Sequence, residues 1–459
     1  MKQHSSEFKT NISLLGKQQE VQIIFGNTTL TSEEINSVTY SYEGSLLKSI
    51  MKQLEIDSNI NIPVGTEIVL KYGLFVNNGY EFIDFGKYIV YEIEKQEDTE
   101  SYLITCYDKM LYSMKNYEKI GITYPITIRN YLDKICTHLG LTFKNKNESF
   151  VNYNKTIPYE LYLDVEGKDI GYTFRDVLDE LSQVTASVIC INNNDELEIR
   201  YINETNDTID EEYLKDVNVN FGKKYGPVNS IVLSRAGESD NIYLQDEESI
   251  NKNGLTELKI AENQIMNFDN RDEFIEEILN KLKGIEYYIN DFSSTGIVYY
   301  DILDSYNVKI GENTYKCLML NDEINITQGL EELIYTEMPE TAETDYTKAD
   351  KTDRRINRTT LIVDKQNQKI EGIVEQIGEH ESVLVQHTQS IEGLEQKVSK
   401  VGAYKSEASG LTQIHLTEAG ALNVVELEIR GNKTYINDLF PGEDLYPEED
   451  LYPNQEGGV

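Results

Sequence analysis

Hydrophobic residues recur along this chain with several different periods, and each period predicts a different kind of element. Near the N-terminus the period is two. Residues 21–25, 67–76, 87–93 and 101–107 alternate apolar with polar positions and read as β-strands. The last two flank the polar turn EKQEDTE, which predicts a hairpin with Tyr88, Val90, Leu103 and Thr105 among its alternating positions. Residues 1–112 are therefore expected to form a β-barrel-like domain, with only 45–54 offering a short helix.

From 113 to 220 helical spacing joins the strands, which predicts an α+β domain. A helix over 126–139 places Ile128, Leu132, Ile135, Cys136 and Leu139 on one face. A second begins at Thr173, whose hydroxyl can cap it, and carries Phe174, Val177, Leu178, Leu181 and Val184. It leads into a hairpin, ASVICI then ELEIRYI, turning at Asn192, Asn193, Asn194 and Asp195. Those four residues resemble the start of a calcium loop. No liganding Glu follows at the required spacing, so they read as a turn.

Residues 221–338 read as a second α+β or β-barrel-like domain. Strands at 228–234 and 297–300 flank a helix at 271–283 that turns Phe274, Ile275, Ile278 and Leu282 inward and stops at Gly284. YNVKI and TYKCLML then form a hairpin about residues 311–313. The stretch 339–352, PETAETDYTKADKT, is a polar linker.

Beyond the linker the period becomes seven. Ile356, Val363, Ile370, Ile377, Leu384, Ile391 and Val398 recur without a miss, and Thr359, Gln366, Ile373, His380, His387, Leu394 and Val401 follow each by three. This is the a/d seam of a coiled coil over 353–402, about 70 Å long at ~1.5 Å per residue. Gly372, Gly378 and Gly393 weaken the helix by about 1 kcal/mol each but fall at outward b or c positions. Self-association must therefore stabilise the rod. β-Branched residues at a with Leu at d favour dimers, whereas Ile373 and Val401 at d favour trimers, so the heptads leave strand number open. His380 and His387 lie one heptad apart on the axis, where polar residues fix register and strand number, the alternative being rings of imidazoles around an anion or metal; if three strands meet there, protonation couples the rod to pH.

After the rod, 403–440 alternates as short strands, a small β segment that needs identical chains to pool a core. The tail at 441–459 belongs to a repeat of period six: Leu439, Phe440, Pro441; Leu445, Tyr446, Pro447; Leu451, Tyr452, Pro453, each led by Asp. Spaced prolines disfavour helix and regular sheet and leave an extended strap with one aromatic per repeat, a form suited to docking on a partner.

Composition narrows the function. At 459 residues the chain exceeds one core, and its net charge of −38, from 80 acidic and 42 basic residues, argues against binding nucleic acid by phosphate neutralisation. Cys106, Cys136, Cys190 and Cys317 form no metal-binding spacing and read as buried thiols of a reducing cytoplasm. There is no signal-peptide core and no run of 18 apolar residues, so neither secretion nor a membrane span is expected. Five histidines, His4, His138, His380, His387 and His415, sit in no catalytic motif, and phosphate-binding glycine loops are missing. Cys136 and His138 share a helix but lack an orienting third group. No catalytic, cofactor or metal site is expected.

YEFIDFGKYIVYEIEKQEDTESYLITCYDKMLYSM (80–114), TYPITIRNYLDKIC (123–136), GYTFRDVLDELSQVTAS (171–187), FGKKYGPVNSIVLSR (221–235) and DKTDRRINRTTLIVDKQNQKI (350–370) resemble, in matching order, tail-tip proteins of long-tailed phages and prophages of Gram-positive hosts. That family is often described as tail-associated lysin or prophage endopeptidase tail. The resemblance implies a multidomain, β-rich α+β fold like a baseplate hub, with β-barrel domains, α+β insertions and a trimeric coiled coil. It implies a homotrimeric ring in the virion tail tip, assembled in the host cytoplasm, closing the tail channel and opening for DNA ejection. Its implied partners are the distal tail protein ring, the tape-measure protein, a distal fibre or receptor-binding protein, and phage DNA in transit. Many relatives carry a peptidoglycan hydrolase after the hub; here a coiled coil, a small β segment and the strap follow, without a peptidase signature. The rival readings are a cell-wall-degrading hydrolase and a direct carbohydrate-receptor binder.

Overall fold

The computed structural model describes residues 1–339 apart from 15, 97–99, 119, 159–171, 216–219, 235–240, 262, 267–271, 328 and 338, and farther on five short strands between 404 and 434. The chain divides into two compact units, one of 1–158 with 171–344 and one of 159–170 with 345–459. The described part of the first is β-rich, with few helices and several sheets.

Its largest sheet has eleven strands, every neighbouring pair antiparallel. From one edge to the other they are Asn220–Tyr225, Tyr287–Ser294, Leu330–Thr336, Asn321–Ile326, Ile35–Tyr42, Lys52–Ser58, Tyr102–Tyr107, Gly79–Lys95, Glu67–Val76, Gln19–Phe25 and Thr28–Leu30. Alternation decides which face of each strand is buried. In Lys52–Ser58, Leu54, Ile56 and Ser58 point inward while Gln53, Glu55 and Asp57 are less buried. The predicted hairpin is present, with Val90 opposite Cys106 and Ile89 opposite Tyr107. Tyr42 opposite Asp322 joins the first group of strands to the last.

The segment expected as a helix at 45–54 is not helical: Leu46 and Leu47 make a turn, and Ser49–Ile50 and Lys52–Ser58 are strands. Period-two burial of Leu54 and Ile56 in the sheet overrides the local preference. The strand expected at 297–300 is also not one. Ile297, Val298, Tyr299 and Tyr300 are all buried in an irregular turn, with Tyr300 N donating to Ile297 O. Four consecutive buried residues carry no alternation to follow, and their backbone is engaged by Lys2 and Glu332 instead of a ladder.

Three smaller sheets and a two-stranded pair, Ile126–Thr127 with Thr156–Ile157, complete the described part of this unit. One runs Thr142–Phe143, Glu196–Arg200, Val188–Ile191, Ser49–Ile50, its first and last pairs parallel, and carries two helices. Ile128–Leu139 is capped by the Thr127 hydroxyl and ends at Gly140 with φ +71°. Phe174–Val184 opens with a reciprocal capping box between Thr173 and Asp176. Another sheet orders Ile242–Gln245, Ser230–Ser234 and Glu257–Ala261 and is contacted by the helix Asp272–Leu282, whose Phe274, Ile275, Ile278 and Leu282 are buried. The third pairs Asn203–Asp210, Asp304–Ile310 and Asn313–Leu318, including the expected hairpin about 311–313. Two short helices, Ser6–Ile12 and Glu247–Asn253, were not foreseen.

In the second unit, Tyr404–Ser406, Leu411–Leu416 and Leu422–Val424 form one antiparallel sheet, and Leu427–Ile429 with Asn432–Thr434 form another. The coiled-coil seam from Ile356 to Val401, with His380 and His387, lies outside the described residues, as does the strap from Leu439 to Pro453.

Candidate functional site

The first unit contains an ionic seam beneath the joint between Ile35–Tyr42 and Asn321–Ile326. Lys2 and Lys52 are 7 % and 3 % exposed, and Asp301, Asp322 and Glu332 are buried with them. Lys2 Nζ donates to the carbonyls of Val298 (2.9 Å) and Tyr300 (2.5 Å) and stands 4.6 Å above the Phe85 ring. The Arg200 guanidinium bridges Asp301 at 2.8 Å and Glu198 at 2.9 Å.

These carboxylates divide by environment. Burial alone would raise Asp301, but Arg200, Lys52 and Lys2 together hold it below the usual carboxylate range. Burial pushes Asp322 up, and repulsion from Glu332 adds to it against the pull of Lys2. Burial likewise raises Glu332, although Ile297 N and the Ser294 hydroxyl, the latter at 2.6 Å, donate to its carboxylate. Asp108 is pushed up to about 6 by burial, opposed by Lys52 and by backbone donors at Lys52 and Met110. The arrangement cross-links strands to turns through backbone groups, hydroxyls and cations of the same unit, and through the carboxyl pair Asp322 and Glu332.

A second polar joint ties the helix Phe174–Val184 to the short strand Ser49–Ile50 of the four-stranded sheet. Asp179 accepts from the Ser49 amide at 2.7 Å and from its hydroxyl, while Arg175 donates to the Ser49 carbonyl at 2.5 Å. Farther along the same helix, the fully buried Glu180 accepts from Gln264 N at 3.2 Å, and Asn263 donates to the Gln183 side chain at 2.7 Å. Burial raises Glu180 well above the usual range.

A cleft of about 240 Å³ is lined by Leu47, Ala186, Leu303, Arg200, Lys281 and Lys316, among others. Leu47, Ala186 and Leu303 take positive φ, 64°, 49° and 64°, conformations uncommon without glycine. Lys281 lies 4.0 Å from the Tyr201 ring centroid, and Lys316 is paired with Glu204 at 2.7 Å.

The cysteines and His138 form no cluster of their own: Cys317 lines the cleft, and Cys190 lies near Arg200 of the ionic seam. Cys136 is buried, its thiol pushed up to about 12 by burial. His138, on the same helix, pairs with Glu118 at 3.0 Å and stands over Phe174 at 5.0 Å. Cys106, Cys190 and Cys317 are likewise buried and free. Asn192 closes its hairpin turn by accepting from Asn194 N and Glu196 N, both at 3.0 Å. Among the described residues no group of three or more His, Cys, Asp or Glu converges as a metal site, and no helix is long and apolar enough to cross a membrane.

Of the sequence-derived site residues, the coiled-coil core and the strap fall outside the described residues. The ionic seam went unread in the sequence because its members are scattered from Lys2 to Glu332. The legible signal was Asp322 and Glu332, each occupying an inward position of an otherwise apolar alternation.

No family model matches this chain, and no curated protein matches it. Solved structures similar to it include the 43 kDa tail protein of prophage MuSo2 from Shewanella oneidensis, at 12% identity and a TM-score of 0.42 over 71% of this chain and 100% of that one. Prophage tail protein gp18 from Listeria monocytogenes is similar at 10% identity and a TM-score of 0.43, over 69% of this chain and 94% of that one. A tail protein from Neisseria meningitidis is similar at 8% identity and a TM-score of 0.42, over 69% and 95% respectively.

Proposed function

We propose that this chain is a structural tail-tip protein of a long-tailed phage or prophage, a baseplate hub rather than an enzyme. The observation that carries the reading is the run of seven heptads placed directly behind segments that resemble the tail-tip family in matching order. A seam with three weak glycine positions needs partner strands, and the resemblance selects three.

In this reading residues 1–338 form the ring that closes the tail channel, in contact with the distal tail protein and the tape-measure protein. The rod over 353–402 continues from it, and 403–440 with the strap from Leu439 to Pro453 holds a distal fibre or receptor-binding protein. The ionic seam supports the role by tying the N-terminal Lys2 to the buried turn at Val298 and Tyr300, and Arg200 to Asp301. The acidic balance of −38 suits a channel that passes DNA without retaining it.

Mass measurement of the full chain in solution tests the assembly. A trimer is expected, and a stable monomer at micromolar concentration overturns it. Deleting 403–459 in the particle tests the distal role. Loss of fibres supports an anchor; loss of adsorption with fibres still attached supports direct receptor binding instead. Release of fragments from host peptidoglycan by the pure protein overturns the non-enzymatic reading.

A further inference from the structure

The hairpin of Glu67–Val76 and Gly79–Lys95 presents aromatic side chains on the face turned away from the core. Leu74 and Tyr72 point inward and are fully buried, while Phe75 and Tyr80 are 39 % and 41 % exposed. Phe75 stands directly opposite Tyr80 in the ladder, their rings edge-to-face at 5.4 Å. Phe82 follows at 6.0 Å from Tyr80. Its ring lies across Gly73, where an added Cβ would fall 2.5 Å from a ring carbon. Any other residue at Gly73 displaces Phe82, so this glycine holds the ring flat on the sheet.

The platform is rigid. Asn77 and Asn78 make a two-residue turn with φ of 49° and 69°, the form that matches strand twist and sets register. Residues 72–80, YGLFVNNGY, hold no charged side chain in a chain where 27 % of residues are charged. Glu20, opposite Gly73 on the next strand, and Gln22, which donates to it at 2.6 Å, supply a polar rim.

Charge decides the occupant. Two copies of a chain carrying −38 repel wherever their acidic faces meet within about 8 Å at physiological salt. A face that brings little charge avoids that repulsion, and aromatic anchors with a polar rim are the composition such contacts use. The heptads hold copies together and so raise the effective concentration of one hub for the next. We infer that the outer face of this hairpin, Phe75 with Tyr80 and Phe82, seats a second copy of the same chain and closes the ring. This rests on the trimer proposed above.

Hydroxyl-radical footprinting of the full chain tests it, with Ile377→Asp/Leu384→Asp as the variant that breaks the rod and Tyr243, 55 % exposed on another sheet, as the reference side chain. Solution mass is measured on both proteins. The expected result is oxidation of Phe75 and Tyr80 at least fivefold slower in the assembled chain than in the rod-broken one, with Tyr243 unchanged. A second variant, Phe75→Ser/Tyr80→Ser, keeps the rod and is expected to leave mass unchanged while exposing Phe82 at least threefold. Equal oxidation of Phe75 and Tyr80 in a verified trimer and its dissociated variant overturns the inference and leaves the trimer standing. A wild-type monomer instead overturns the trimer itself. Protection that arises only when the distal tail protein is added assigns the face to that partner and also overturns the inference.

Discussion

Arg200, the last residue of Glu196–Arg200, and Asp301, in the buried turn ahead of Asp304–Ile310, meet through a 2.8 Å ion pair that fastens one small sheet to another. Asp301 also feels Lys52 and Lys2, so three cations converge on one carboxylate.

Asp301→Asn therefore leaves Arg200 partly uncompensated and is expected to destabilise the chain by about 3–5 kcal/mol, the cost of breaking a buried pair. Because the folded carboxyl is held below its unfolded value, its stabilisation is full above about pH 4 and is lost as pH falls toward the depressed folded pKa. Thermal melts from pH 7 to pH 3 check this: the wild type loses stability steeply in acid, and the variant loses less from a lower start.

Asp322 and Glu332 have the opposite sign. Asp322 lies opposite Ile334 and Glu332 opposite Ile324, so the two occupy one inner face as diagonal neighbours. Both are raised by burial, so the folded state keeps their protons and stability declines as pH rises above about 4. Asp322→Asn is expected to flatten that decline and to melt higher than wild type at pH 8. A variant that melts lower across the whole range contradicts it.

Gly226 has φ +90°, and an added Cβ would sit 2.2 Å from the Ile285 carbonyl oxygen and 2.8 Å from Glu286 Cα. Both neighbours are backbone and cannot swing aside. Gly226→Ala is expected to cost at least about 2 kcal/mol in urea unfolding. Gly254→Ala, with φ +82° but open space about its Cβ, is expected to cost less.

His380 and His387 give a pH test of the proposed rod. In the proposed trimer each meets two copies of itself, and protonation places like charges on the axis. Sedimentation at pH 5.5 is expected to show weaker association than at pH 7.5, and His380→Asn/His387→Asn should remove most of the difference.

How far the fold was legible depended on whether a signal was local. The cap at Thr173, the stop at Gly284 and the turn at Asn192 lie within a few residues of the elements they bound, and each is where the pattern places it, whereas the helix expected from 126 starts at Ile128 behind a Thr127 cap. The strands at 52–58 carried a readable period of two in Leu54 and Ile56, obscured by the apolar residues Leu46, Leu47 and Ile50 just before them. The turn at Ile297–Tyr300 carried no period at all, since every residue in it is buried.

Sequence alone determined the local periods, the caps and turns, and the seven-residue beat that calls for association, because each depends on residues close in the chain or repeated along it. Only the tertiary structure decided which strands became neighbours, so that Tyr42 faces Asp322 and charges from Lys2 to Glu332 share one seam. The reason is physical: alternation tells a strand which face to bury, but every backbone ladder offers the same hydrogen bonds. Closure entropy grows too slowly with chain length to favour near partners decisively over far ones. The choice then falls to side-chain packing and charge compensation, which exist only once the distant segments have met.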